Sequence, residues 1–316
     1  MSSIGATVRE LWLLGGVTAA GKTGLSIEWA EKNGAEIISC DSVSFYRGLN
    51  LGSAKPSIEE QKQIVHHGLD LADLSETYDV RQFHAYASRK VEEILNRGKK
   101  VLLVGGSGFF LDGFLRPISD GVEIEQQVRN EAEKLFETGG LSKILKKLNE
   151  LNPDGLAGLD AKNPLRVLRA LERCMQTGLS LNDLKDEFAK MPLPYQAFQK
   201  KLVWLDREND DLLARIEQRT QQMLEAGMIE ETERAILQGI DNHVSLASSV
   251  GYREVIEFLK NGGEVENLSR SITRSTRQLV SKQRKWFRKR FPQQSHFIIK
   301  PNDHISSEDL PWVGGT

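Results

Sequence analysis

The chain holds only two cysteines in 316 residues, Cys40 and Cys174. Two thiols so far apart support neither a disulfide framework nor a cysteine-based zinc site. They point to a reducing, cytoplasmic setting. No apolar stretch approaches the length of a membrane span, and Met1 to Glu10 carries no apolar signal-peptide core, so no membrane association is expected. An excess of either charge is missing too: 42 Lys and Arg against 44 Asp and Glu leave a net charge of −2. No overall field then draws the protein to nucleic acid, and any such attraction has to come from a local patch. Internal repeats and low-complexity segments are absent. What remains, 39% apolar and 27% charged residues, fits a soluble globular protein with one large or two ordinary domains, expected to be monomeric.

The most informative stretch is Gly16-Val17-Thr18-Ala19-Ala20-Gly21-Lys22-Thr23. The apolar run Leu11-Trp12-Leu13-Leu14 before it reads as a buried strand. Leu25 to Ala30 after it reads as a helix that stops at Gly34. Strand, glycine loop and helix are the setting of a phosphate-binding P-loop. Glycines let several N–H groups converge on one anion, and the helix dipole adds to the attraction. Lys22 supplies a charge and Thr23 a hydroxyl for a magnesium ion. A chance match in a glycine turn lacks both flanking elements. The loop implies a bound di- or triphosphate and leaves the reaction open.

Further along, Glu36 to Cys40 predicts a second strand running into Asp41 and Ser42. A carboxylate and a hydroxyl at a strand's C-terminal end suit either a ligand site or a simple turn. Tyr46 to Pro56 is glycine-rich and reads as a loop. His66 and His67 read as exposed or hydrogen-bonded rather than as ligands. Asp79 with Gln82 forms a capping box for a helix whose core face is Phe83, Tyr86, Ala87, Val91, Ile94 and Leu95, ended by Gly98. Val101 to Val104 is a continuous apolar run, as in a parallel sheet covered on both faces. It delivers Gly105-Gly106-Ser107-Gly108 to the edge that carries Lys22 and Asp41.

From about Gly121 to Leu193 strand-like runs vanish. Val128–Phe136, Leu141–Leu151, Pro164–Thr177 and Leu181–Phe188 read as amphipathic helices. Arg166, Arg169 and Arg173 share one helix face, which alone suggests a solvated surface. Lys201 to Leu205 returns to the sheet. The helix Asp210–Gly227 carries Arg215 and Arg219 one turn apart, with Met223 expected in the core. Gly251-Tyr252-Arg253 opens another helix. Arg270 to Arg290 holds nine Lys or Arg and no acid. On a helical wheel Arg270, Arg274, Arg277, Arg284 and Arg288 form a stripe opposite Ile272, Leu279, Val280, Trp286 and Phe287. The stripe is expected to face solvent, away from the P-loop, and to contact a phosphate backbone. The tail after Pro301 is polar and reads as loose. The expected fold is α/β: a P-loop NTPase-like parallel sheet core, 1–120 and 198–316, with an inserted small all-helical domain, 121–197.

Taken in order, the P-loop, Ile38 to Ser42, Tyr46 to Pro56, Leu103 to Gly108, Asn163-Pro164 with Arg166 and Arg169, Val250 to Arg253, and Thr276 to Arg288 resemble the tRNA dimethylallyltransferases, from about residue 11 to about 290. Two cysteines are too few for the C-terminal zinc finger of many eukaryotic members, so the resemblance is to the bacterial type. Val17 stands where the family usually has proline, Ser107 where it usually has threonine, and His243 to Ser248 is less typical. The resemblance implies transfer of a dimethylallyl group from dimethylallyl diphosphate to N6 of the adenine 3′ of a tRNA anticodon, with Mg2+ assisting. It implies a catalytic set of Asp41, Ser107 and Arg215, with Asp41 as general base. It implies Lys22, Thr23 and Arg215 on the diphosphate. It puts the anticodon stem-loop near Asp41, Ser42, Val43, Ser44, Ser107, Arg129, Leu165, Arg166, Arg169, Arg253, Lys282, Arg284 and Arg288. Three other readings make different predictions. A small-molecule kinase on this fold would release ADP rather than diphosphate. A transferase for free adenosine nucleotides would need neither the helical insertion nor the basic helix. A non-catalytic RNA-binding protein would leave the P-loop without a use.

Overall fold

The computed structural model describes residues 8–315. It divides into two compact units, Met1–Arg116 with Tyr195–Thr316, and Pro117–Pro194. Residues 1–7, part of the stretch read for a signal peptide, lie outside the described residues.

The first unit is built on strands β1 (Arg9–Gly16), β2 (Ala35–Ser39), β3 (His66–His67), β4 (Lys100–Gly105) and β5 (Phe198–Arg207). Helix α1 (Lys22–Asn33) follows β1, α2 (Ile58–Gln63) precedes β3, α3 (Val80–Asn96) precedes β4, and α4 (Gly108–Asp112) follows it. The order across the sheet begins β3-β2-β4-β1-β5, all parallel. Strand β1 lies between β4 and β5, and Leu11, Leu13 and Leu14 are fully buried. Both faces are covered, which is why the run is apolar without alternation. Each such side chain contributes about 1.5–3 kcal/mol by leaving water. Local signals set the helix ends. Gly34 closes α1 in the left-handed region at φ 61, and Asp79 and Gln82 form a reciprocal capping box on α3. His66 and His67 are bonded to the Ile64 carbonyl and to Glu36.

The second unit is all helical. It comprises α5 (Gln126–Leu151), α6 (Pro164–Thr177) and α7 (Leu181–Ala189) around Ala132, Ile144, Leu148, Val167, Leu171 and Leu184. Both helices expected over 128–151 are present within α5, separated by a kink at Gly140, whose φ 58 and ψ −158 leave helical geometry. Asn163 caps α6 by accepting from Arg166 N, with Pro164 at its first turn.

After β5 the first unit continues with α8 (Asn209–Glu225), α9 (Met228–Leu237), α10 (Val244–Ala247), α11 (Tyr252–Asn261) and α12 (Val265–Arg290), then β6 (His296–Ile299) and β7 (Val313–Gly315). The expectation of a loose tail is corrected here. Strand β7 pairs antiparallel with β5, and β6 pairs parallel with it at the sheet edge. Trp312 packs on Trp12 and Trp29, ring centroids 4.9 and 5.4 Å away. Tail and first strand are thus joined through aromatic contacts. Trp312→Ala is expected to cost about 2 kcal/mol in urea denaturation, less than the ~3–5 kcal/mol of a fully buried aromatic because Trp312 keeps some exposure. A loss near zero would mean that the tail adds nothing to the sheet.

Candidate active site

The parallel register sets the C-terminal ends of β2, β4, β1 and β5 side by side. Ser39 pairs with Val104, Gly15 with Gly105, and Gly16 with Leu205. Asp41, Ser107, the P-loop and Arg207 therefore emerge in one row, where open α/β sheets bind ligands. Two glycines permit this closeness. A Cβ on Gly105 would lie 2.2 Å from the Cys40 carbonyl oxygen, and one on Gly16 would lie 2.8 Å from that of Leu205.

The P-loop is ringed by cations. The Lys22 Nζ donates to the carbonyls of Gly16 and Val17 at 3.1 and 2.9 Å. Arg215 Nε, from α8, donates to the Ala19 carbonyl and Arg207 Nε to that of Ala20, each at 3.0 Å. Val17 is buried and donates its N–H to Leu205 O at 3.0 Å, so the side chain that replaces the usual proline packs in the core. Gly21 caps α1 in the left-handed region at φ 97. The first amides of α1 have no intrahelical partner and are available to an anion. The Thr23 hydroxyl makes no hydrogen bond to another described residue.

Asp41 sits where both of its sequence readings hold. Its Oδ1 accepts from Val43 N at 3.3 Å and its carbonyl accepts from Ser44 N and Ser44 Oγ, so it builds the turn. Its carboxylate also faces Lys22 and Arg219. Burial raises its pKa above the ordinary 3.8, opposed by the Val43 bond and those two cations. Burial brings Lys22 down to about 8, Arg219 adds to the fall, and Asp41 counters it. The Ser107 carbonyl accepts from Phe110 N and Leu111 N at the start of α4, while its side chain makes no cap bond and its hydroxyl is left to the cavity. Lys22, Thr23, Asp41, Ser107, Arg215 and Arg219 line one cavity of about 1060 Å³, with Ser42, Val43, Arg253, Lys282 and the exposed Phe109 also on its wall.

A cavity with a cation-lined anion loop at one end and a raised carboxylate beside it suits a reaction in which an anion leaves and a proton is taken up. The sequence family described as IPP transferase matches residues 44–290. A tRNA dimethylallyltransferase of Opitutus terrae is 42% identical over 283 residues, covering 90% of this chain and 91% of that relative. The chain belongs to the tRNA dimethylallyltransferase family. The structure of a tRNA isopentenylpyrophosphate transferase from Bacillus halodurans shares 29% identity and a TM-score of 0.64, covering 92% of this chain and 90% of that one. A eukaryotic dimethylallyltransferase acting on tRNA, at 24% identity, shares the fold with a TM-score of 0.80 over 93% of this chain and 74% of its own.

The residues that family membership points toward tRNA are differently placed. Ser42, Val43, Arg253 and Lys282 reach the cavity, Arg253 being held by Glu254 and Ser275 Oγ. Ser44 is buried and tied into the Asp41 turn, and it too lines the cavity. In the second unit Arg169 pairs with buried Glu172, Arg166 lies 3.8 Å from Asp160, and Leu165 is exposed. The Arg129 Nε is buried without a hydrogen-bond partner among the described residues.

Helix α12 corrects the sequence reading twice. It does not lie away from the P-loop: Gln283 reaches Thr18 N, and Phe287 fills the space over Gly15. Nor is Arg284 a solvent-facing charge. It makes two 2.9 Å bonds to buried Asp206 and others to Asn209 and the Arg207 carbonyl. A wheel drawn on an acid-free segment cannot show an acid supplied by another element. Arg270, Arg274, Arg277 and Arg288 remain exposed. Arg284→Gln is expected to cost about 3 kcal/mol of stability, because Asp206 would stay buried without its cation. Arg288→Gln should leave stability unchanged and lower the salt slope of RNA binding by about one. Equal stability losses in the two variants would remove this distinction.

The sequence reading left three residues unassigned: Arg207, Arg219 and Gln283. Arg219 had a signal, lying four residues after Arg215 on the same helix face. Arg207 and Gln283 had none. Met223, expected in the core, is only partly buried and reaches the cavity wall.

Proposed function

We propose that this protein moves a dimethylallyl group from dimethylallyl diphosphate to N6 of the adenine 3′ of the tRNA anticodon, releasing diphosphate. The observation that carries this reading is the sharing of one cavity by the P-loop cations and the Asp41 carboxylate. An adenine amine is a weak nucleophile, because its lone pair is delocalised into the ring. As N6 bonds to the allylic carbon, the carbon–oxygen bond to diphosphate breaks and the N6 proton passes to Asp41. A carboxylate raised above its ordinary pKa is suited to that transfer. Lys22, Arg215 and Arg219 hold the diphosphate while its charge grows, which is the work of preorganised electrostatics. Ser107 offers a hydroxyl to the base or to the amine. Among the described residues no group of three or more His, Cys, Asp or Glu forms a metal cage. A magnesium ion carried by substrate phosphates would be held through Thr23 Oγ1. Bound there, magnesium supplies charge to the departing diphosphate. A base inside a tRNA loop reaches such a cavity only when unstacked. Incubation with labelled dimethylallyl diphosphate and unmodified tRNA, followed by nucleoside analysis, tests the reading. Label on N6-dimethylallyladenosine and release of diphosphate support it. Transfer to free adenosine nucleotides alone overturns it.

A further inference from the structure

Gln283 joins the two loops that the proposed reaction has to align. It is partly buried on α12, and both ends of its carboxamide are used. Oε1 accepts from the P-loop amide of Thr18 at 2.9 Å, and Nε2 donates to the Gly106 carbonyl, next to Ser107, at 3.1 Å. Gly106 makes room for it: a Cβ there would lie 2.9 Å from that Nε2. The helix carrying Gln283 is fixed on both sides. Arg284 is held by Asp206, and the Trp286 ring lies so close to Gly108 that a Cβ there would sit 2.1 Å from it. With α12 fixed in this way, the carboxamide spans the seam between the ends of β1 and β4.

The chemistry of that seam selects glutamine. One side offers a donor and the other an acceptor, and a carboxamide supplies the complement of both. A carboxylate would satisfy Thr18, lose Gly106, and bring negative charge to an anion site. Asparagine is one methylene too short to reach both from the same backbone position. Leucine fills the space and bonds to neither.

We propose that Gln283 is a positioning residue for group transfer. It holds the diphosphate loop and the Ser107 loop at a set separation, so that the allylic carbon of the donor meets the adenine amine in line. This rests on the function proposed above. Misplacing reacting groups by about 1 Å costs up to ~100-fold in rate. Gln283→Leu is therefore expected to lower kcat by ~10- to 100-fold at saturating donor and tRNA. The Kd for inorganic diphosphate and the Kd for tRNA should each stay within about threefold. Gln283→Asn should fall between wild type and Leu. Gln283→Glu should fall below Leu, with weaker inorganic diphosphate binding, although it keeps one hydrogen bond. A purely structural role predicts the reverse order for Glu and Leu, with activity tracking thermal stability. The Thr18 amide should also exchange with solvent at least tenfold faster in the Leu variant. Wild-type protein that transfers no label to tRNA overturns the functional reading and this inference with it. Active wild type with full kcat in Gln283→Leu, or a loss that follows stability, overturns this inference alone. If the Leu variant does not fold, the kcat of the Asn variant decides: unchanged, it overturns the proposal.

Discussion

Asp41→Asn is expected to lose ~10²- to 10⁴-fold in transfer rate, the usual effect of removing a general base, while still binding both substrates. The amide is the right replacement, because the carboxylate has two duties. Its Oδ1 closes the turn through Val43 N, and an asparagine oxygen can accept the same bond. The turn that carries Ser42 and Val43 should therefore survive, and with it tRNA binding. Only the capacity to take a proton is lost. Donor binding gives an independent check on the electrostatics. Asp41 is the carboxylate that faces Lys22 and Arg219, so its neutralisation leaves those cations less compensated. Donor affinity should hold or rise, not fall. The pH profile gives a second check. Burial raises the Asp41 pKa above 3.8, and the reactive form is the ionised one. In wild type kcat/KM should fall as pH drops through that raised value, and Asp41→Asn should lack this acid limb. Near wild-type turnover in the variant would remove Asp41 from the mechanism. A lost rate together with lost donor binding would make it a structural carboxylate.

What the sequence displayed and what it hid divide by range. The capping box of Asp79 and Gln82 and the stop at Gly34 depend on neighbours within a turn, and the structure follows them. The four apolar runs became the central strands because burial on both faces leaves no other pattern. Strands β6 and β7 were illegible: they are short and exist through pairing with β5, a tertiary condition. The same limit applies to charge. Arg284 joined a cationic stripe by its wheel angle, yet its partner Asp206 is 78 residues away in sequence. Gln283 looked unremarkable among its basic neighbours, because its partners Thr18 and Gly106 belong to other loops. Lys22 and Asp41 were visible as single residues. Their mutual effect was not, since it depends on two strand ends meeting across β4.

Lys22→Met is expected to reduce kcat/KM for the donor by ~10²- to 10³-fold at pH 7, comparable to removing one preorganised donor from a developing anion, and to leave tRNA affinity unchanged. The magnitude follows from where the charge sits. The Lys22 Nζ is held against the carbonyls of Gly16 and Val17, inside the loop that curls around the anion. Arg207 and Arg215 bond other carbonyls of that loop and do not replace it. The pH dependence carries the stronger test. Burial, then Arg219, bring the free lysine to about 8. It is charged below that pH and neutral above it, and the charged form is the one that binds diphosphate. Donor affinity in wild type should therefore be flat between pH 6 and about 7.5 and weaken above 8, approaching about tenfold per pH unit. Because the bound anion favours the ammonium, binding near pH 8.5 should take up a proton. Calorimetry in two buffers of different ionisation enthalpy measures that uptake directly. Lys22→Arg keeps its charge throughout this range and should remove the alkaline weakening, whatever its absolute rate, since a guanidinium does not reproduce the ammonium's compact geometry. Wild-type donor binding that stays constant to pH 9.5, with no proton taken up, would mean that Lys22 stays charged in the free loop and that burial does not set its titration.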